Sequence, residues 1–195
     1  PALSKDGRTL IFVRGGKTSH DLWMSTRTST SEPFGEPVNM GPIVNRGEDN
    51  IGPNLSDNGR TLIFTSKVQR RASQWKSTRA ASDQPFGKPV DFETGIKGLT
   101  VQAPTIWTDG RTLIFTAGGD RGHGNYDQWM PTRTAVGEPF SSPVNLGADI
   151  NSSEFDSRPC LSADGRTLFF ESTRPGGQGD FDLWMARIRW PSDTQ

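Results

Sequence analysis

A glycine turn, a short apolar run, a polar loop and a tryptophan recur four times in 195 residues, which restricts the chain to folds assembled from repeated units. The turn glycines Gly7, Gly59, Gly110 and Gly165 stand 52, 51 and 55 residues apart. Trp23, Trp75, Trp129 and Trp184 follow at steps of 52, 54 and 55, with Arg27, Arg79, Arg133 and Arg187 close behind on the same beat. Asp6-Gly7, Asn58-Gly59, Asp109-Gly110 and Asp164-Gly165 each separate two extended runs, the signal of a two-residue type I′ hairpin. The run after each turn, such as Thr9 to Val13 or Thr61 to Thr65, is apolar at successive positions and therefore predicts a strand covered on both faces. The tryptophan run is a third strand, and Pro131 in its third copy places it toward the outside of the sheet or at a bulge. The segments EPFGEPVNMG, QPFGKPVDFE and EPFSSPVNLG then lead into a short outer strand. Four short antiparallel strands per repeat make one propeller blade. With 31% hydrophobic residues, 22 Gly and 14 Pro, the chain has little material for long buried helices, so six Trp and eleven Phe carry much of the burial.

Pro1, Pro53, Pro104 and Pro159 open the four copies. The pattern P-x-L-S-x-D-G-R-T-L-x-F, followed by a glycine-rich loop and D-L-W-M-x-x-R, resembles the PD40, or WD40-like, repeat of TolB-type bacterial β-propellers across essentially the whole chain. The second copy departs from it with SKVQRRASQWKSTR, and the third has Trp107 in place of the serine. The resemblance implies an all-β propeller in one domain, residues 1–195, with blades 1–52, 53–103, 104–158 and 159–195, the last lacking its outer strand. Four such blades can close a ring by themselves; further domains of a longer chain, or a second chain, are the other ways to complete one. A periplasmic, cell-envelope or extracellular setting is likewise what the resemblance implies.

Several function classes are disfavoured. Lys plus Arg and Asp plus Glu both number 22 with no long run of one sign, so nucleic acid is not an expected partner. No apolar stretch is long enough for direct insertion into a membrane. The lone Cys160 is expected to be a small buried residue. In RGGKTS the phosphate-loop spacing would need glycine where Ile11 stands. His20 and His123 belong to no metal-protease pattern, and no zinc or other cofactor is expected. The enzyme alternative is a glycan-active hydrolase or lyase, because S-x-D-G-R-T-L looks something like the Asp-box turn of sialidases. That turn is itself structural, and only Tyr126 could stand for the nucleophilic tyrosine.

Hairpin alternation puts the Asp-Gly turns and the Pro-Phe connections at one end of each blade, and the glycine-rich loops and blade-to-blade segments at the other. The second end holds the candidate binding residues: Asp120, His123, Asn125, Tyr126 and Asp127 in the third loop, Arg174 and Asp180 in the fourth, and Glu48, Asp49, Glu154 and Asp156 between blades. The expected function is a non-catalytic recognition or scaffold module for a protein, peptide or polysaccharide, with a structural spacer as a further alternative. Calcium would suit the oxygen atoms of Asp120, Asn125 and Asp127, although no calcium-loop spacing is present. Asp21, Asp127 and Asp182 all precede the tryptophan by two residues, a recurrence that suits a loop-tying role. Asn45 with Glu48, and Asn151 with Glu154, suit a structural latch, and the recurrent arginines suit packing at blade junctions.

Overall fold

The computed structural model describes residues 1–15, 19–56, 58–68, 71–92, 100–107, 110–119, 122–162 and 164–188. Its contacts divide the chain into two units, Pro1–Thr94 and Gly95–Gln195. In the first unit, blade 1 comprises β1 (Ala2–Leu3), β2 (Thr9–Gly15), β3 (His20–Thr26) and β4 (Val38–Asn39). A single helical turn, α1 (Gly41–Val44), leads to blade 2, made of β5 (Asp49–Leu55), β6 (Thr61–Val68), β7 (Arg71–Thr78) and β8 (Val90–Asp91). In the second unit, blade 3 comprises β9 (Thr100–Ile106), β10 (Leu113–Gly118), β11 (Tyr126–Met130) and β12 (Val144–Asn145). Blade 4 comprises β13 (Asp156–Leu161), β14 (Thr167–Ser172) and β15 (Asp182–Arg187), three strands without a fourth among the described residues. Neighbouring strands within each blade are antiparallel. This is the β-propeller blade expected from the repeat, including the two-residue outer strands.

Two local expectations change. The turns are not two-residue type I′ hairpins. Ser4 and Thr9 pair across a four-residue loop in which the Gly7 N–H donates to the Ser4 carbonyl over 2.8 Å, and the only positive φ in the loop is that of Gly7, at 68°. Ser4 decides this: its hydroxyl donates to Asp6 over 2.6 Å and accepts the Thr9 N–H over 2.8 Å, while Asp6 also accepts the Arg8 N–H. Ser56 and Asn58, and Ser162 and Asp164, build the same loop. The first strands also begin before their prolines, so Asp49 and Asp156 lie in β5 and β13 rather than in blade-to-blade loops. Each of these strands carries a bulge at the residue before proline, where Gly52, Ala103 and Arg158 have φ of 61°, 44° and 51°.

The two faces of a blade have different chemistry. One bears the recurrent tryptophan beside the phenylalanine of the middle strand, as in Phe64 opposite Trp75 and Phe170 opposite Trp184; this is the tryptophan face. The reverse face bears Ile11 and Leu22 in blade 1 and Ile114 and Gln128 in blade 3. In the first unit the reverse face of blade 1 and the tryptophan face of blade 2 form one core, with Ala2, Ile11, Leu22, Leu55, Leu62 and Phe64 buried. In the second unit Ile114 packs with Leu168 and Phe170 in the same way. The centres of β6 and β10 are buried at every position as expected, but burial in β2 and β14 alternates. Cys160, expected to be buried, is exposed, because β13 turns it to the reverse face of blade 4 beside Phe169.

Three of the four recurrent arginines brace their own blade, and the buried Arg79 of blade 2 also interacts electrostatically with Asp6 of blade 1. The Nε of Arg27, Arg79 and Arg133 donates to the carbonyl of Gly7, Gly59 and Gly110 over 2.7, 2.6 and 2.8 Å. Each guanidinium also lies over the phenylalanine of the following connection, Phe34, Phe86 or Phe140. One side chain thus ties the Asp-Gly turn to the Pro-Phe connection, which places both at the same end of the blade.

Candidate functional site

At the opposite end of the second unit, the third glycine-rich loop is shaped by a carboxylate. Asp127, buried at the start of β11, accepts the backbone N–H groups of His123 and Gly124 and the Asn145 side-chain amide. Asn145 in turn accepts from Gly147 N–H and from Asn151, and Asn151 clasps both backbone groups of Gln128. The first unit repeats this latch with Asp21, Asn39, Gly41 and Asn45 around Leu22. Asp182 ties the fourth loop similarly, accepting from Gln178 and Gly179 N–H over 2.8 and 3.1 Å. The recurrent aspartates and Asn45 and Asn151 therefore act as scaffold. Glu48 and Glu154 stand outside the latch: Glu48 is exposed and Glu154 partly exposed.

Beyond the latch the chain passes from blade 3 to blade 4, and Tyr126 bridges in parallel to Phe155. Their rings stack with centroids 5.3 Å apart, and Phe155 meets Phe181 edge-on at 6.5 Å. Phe155 is 37% and Phe181 54% exposed, so an aromatic surface opens to solvent where apolar groups are normally covered. The Tyr126 hydroxyl accepts from Gln102 over 3.4 Å, and the Asn125 N–H donates to the Glu154 carbonyl over 3.1 Å. His123, Asn125 and Asp180 are exposed within the loops that carry or adjoin these rings.

Beneath this surface Asp156 is fully buried and Arg174 partly buried, its side chain 18% exposed. Arg174 donates to Asp156 over 2.6 Å, to Ser172 over 2.9 Å and to the Ile150 carbonyl, and lies over the rings of Phe170 and Trp184. Burial pushes the Asp156 carboxyl upward, but Arg174, Ser172 and Ser152 together outweigh it and hold the group below the ordinary carboxylate range. Both residues hold the blade 3–blade 4 junction.

The corresponding place in the first unit is polar. His20 and Asp49 occupy the positions of Tyr126 and Phe155, pair in the same parallel register, and stand 2.7 Å apart, with Lys67 3.9 Å from the second Asp49 oxygen. Of the candidate residues, His123, Asn125, Tyr126, Asp127, Glu154, Asp156, Arg174 and Asp180 thus gather in the second unit, Glu48 and Asp49 lie in the first, and Asp120 lies outside the described residues. Phe155 and Phe181 escape residue-by-residue inspection. Aligning the copies would find them, because Phe181 stands three residues before its tryptophan, as His20 and Tyr126 do, and Phe155 four residues before its proline, as Asp49 does. Among the described residues no group of three or more His, Cys, Asp or Glu side chains is placed to hold a metal ion, and no helix is long and apolar enough to cross a membrane.

No family model matches the chain, and no curated protein matches it in sequence. Its structure is similar to that of TolB from Acinetobacter baumannii, with a TM-score of 0.62 at 18% identity over 96% of this chain and 40% of that one. The putative TolB from Agrobacterium tumefaciens gives 0.62 at 14% identity, over 95% and 60%. A GH43 endo-arabinanase from Bacillus licheniformis also gives 0.62, at 15% identity over 96% and 71%. The chain therefore spans less than two thirds of either TolB. Together with the four-strand blades, these likenesses establish a β-propeller fold of the TolB-like kind.

Proposed function

We infer that the chain is a recognition module that binds a polysaccharide or an extended peptide across the glycine-rich-loop end of its second unit. The observation that carries this reading is the exposed aromatic stack of Tyr126, Phe155 and Phe181. Such rings offer flat apolar area with little side-chain entropy to lose, suited to the C–H face of a sugar ring or to an apolar peptide side chain. His123, Asn125, Glu154 and Asp180 supply polar groups around it. The buried carboxyls at this end, Asp127 and Asp156, are taken up by hydrogen bonds that hold the loop and the blade junction, which supports the binding reading. An extracytoplasmic setting, implied by the TolB-type repeat, accords with an exposed recognition surface.

Affinity electrophoresis in gels containing soluble arabinan, xylan or β-glucan, with a peptide library as the parallel arm, tests the proposal. Retardation or capture by at least one ligand class should fall about tenfold or more in Tyr126→Ala/Phe181→Ala, the order expected from losing aromatic contact. Unchanged binding in a folded double variant, or release of reducing sugar that survives it, would refute this site.

A further inference from the structure

One cross-strand position on the reverse face is filled differently in each of the first three blades. Blade 1 has an apolar pair there, Val13 opposite Leu22, and Leu22 is fully buried. Blade 2 has Thr65 opposite Gln74, and the two satisfy one another: the Gln74 amide donates to the Thr65 hydroxyl over 3.0 Å and accepts from it over 3.2 Å. Blade 3 keeps the same residue types, Thr116 opposite Gln128, but not the bond. The Thr116 hydroxyl instead accepts the Arg158 N–H over 3.2 Å, at the bulge of β13. Gln128 is 0% exposed, and neither its Nε2 nor its Oε1 has a hydrogen-bond partner among the described residues.

A buried amide unbonded at both its oxygen and its nitrogen is strongly disfavoured, so the position calls for a guest. The surrounding junction sets the chemistry of that guest. Gln128 stands on the reverse face of blade 3, which packs against the tryptophan face of blade 4 through Ile114, Leu168, Phe170 and Trp184. The Trp184 indole N–H is another buried polar group of this junction without a partner among the described residues. The guanidinium that lies over Phe170 and Trp184, that of Arg174, is already paired with Asp156. An ion would therefore meet no free countercharge in this pair, and it could satisfy only one end of the amide. A guest that both accepts from Nε2 and donates to Oε1 must be small, uncharged and amphoteric in hydrogen bonding. We propose that an internal water is bound at Gln128 in the blade 3–blade 4 junction, supplying the bonds that Thr65 supplies to Gln74 in blade 2. This site lies within the second unit and is independent of ligand recognition by the aromatic loop surface.

Magnetic relaxation dispersion of the water oxygen, which counts waters held longer than the protein takes to tumble, decides the matter. The amplitude should fall by at least one long-lived water in Gln128→Leu, and equally in Gln128→Met, whose volume is closer to that of glutamine. Leucine occupies this place in blade 1, so folding should persist, and circular dichroism checks it. An unchanged amplitude in either folded variant overturns the proposal. A second measurement needs no substitution: in the unaltered chain the Gln128 side-chain amide protons should show a nuclear Overhauser contact with water. Contacts with protein protons alone, such as the Thr116 hydroxyl in the manner of Gln74 and Thr65, overturn the proposal whatever the variants do.

Discussion

Arg174 and Asp156 form an ion pair in the second unit whose carboxylate is fully buried. A buried carboxylate without its guanidinium is an uncompensated charge, so Arg174→Ala should destabilise the protein by about 3–5 kcal/mol. The pair also sets an acid limit. Because the Asp156 carboxyl is held below its unfolded value, its contribution is fully present above the unfolded pKa of about 3.9 and is lost as pH falls through the lower folded value. Urea unfolding between pH 7 and 3 should show this loss in the native protein, and Asp156→Asn should remove that part of the slope. Little of this was legible in the sequence. Asp156 and Arg174 were recognisable as polar residues at the loop end, but a residue's type does not reveal whether its charge faces solvent or a buried partner.

For single elements, the first strands of blades 2, 3 and 4 share a bulge that needs left-handed backbone before the proline. Only blade 2 supplies glycine there; blade 3 forces Ala103 to φ 44°. A side chain in that region costs about 1–2 kcal/mol, partly offset by the greater unfolded freedom of glycine, so Ala103→Gly should stabilise by about 0.5 kcal/mol. The reverse change, Gly52→Ala, should destabilise by about 1 kcal/mol although an added Cβ would meet nothing closer than Thr65 Oγ1 at 3.9 Å. Thermal melts of both variants check the sign. Strand order and the two-residue outer strands were readable from glycine, proline and apolar spacing. The turn type was not, because Asp-Gly suits a type I′ turn only when no nearby side chain competes for the loop amides, and Ser4, Ser56 and Ser162 compete.

On the scale of the molecule, the two units repeat one latch and differ in what they place above it: Tyr126, Phe155 and Phe181 in the second, His20, Asp49 and Ala72 in the first. If the aromatic stack is the binding surface, His20→Tyr/Asp49→Phe/Ala72→Phe should build a second one, and calorimetric stoichiometry for the bound ligand should rise from one site to two. These positions are exposed or half-exposed, so the transplant should leave folding intact. The sequence by itself determined the repeat, the number of blades and the strands within them, because periodic turn residues and apolar runs act locally and identically in each copy. The tertiary structure alone decided which recurrent polar groups are consumed as scaffold and which aromatic rings meet across a blade junction. Those outcomes depend on residues from 18 to about fifty positions apart coming together in space, and local sequence does not encode such distances.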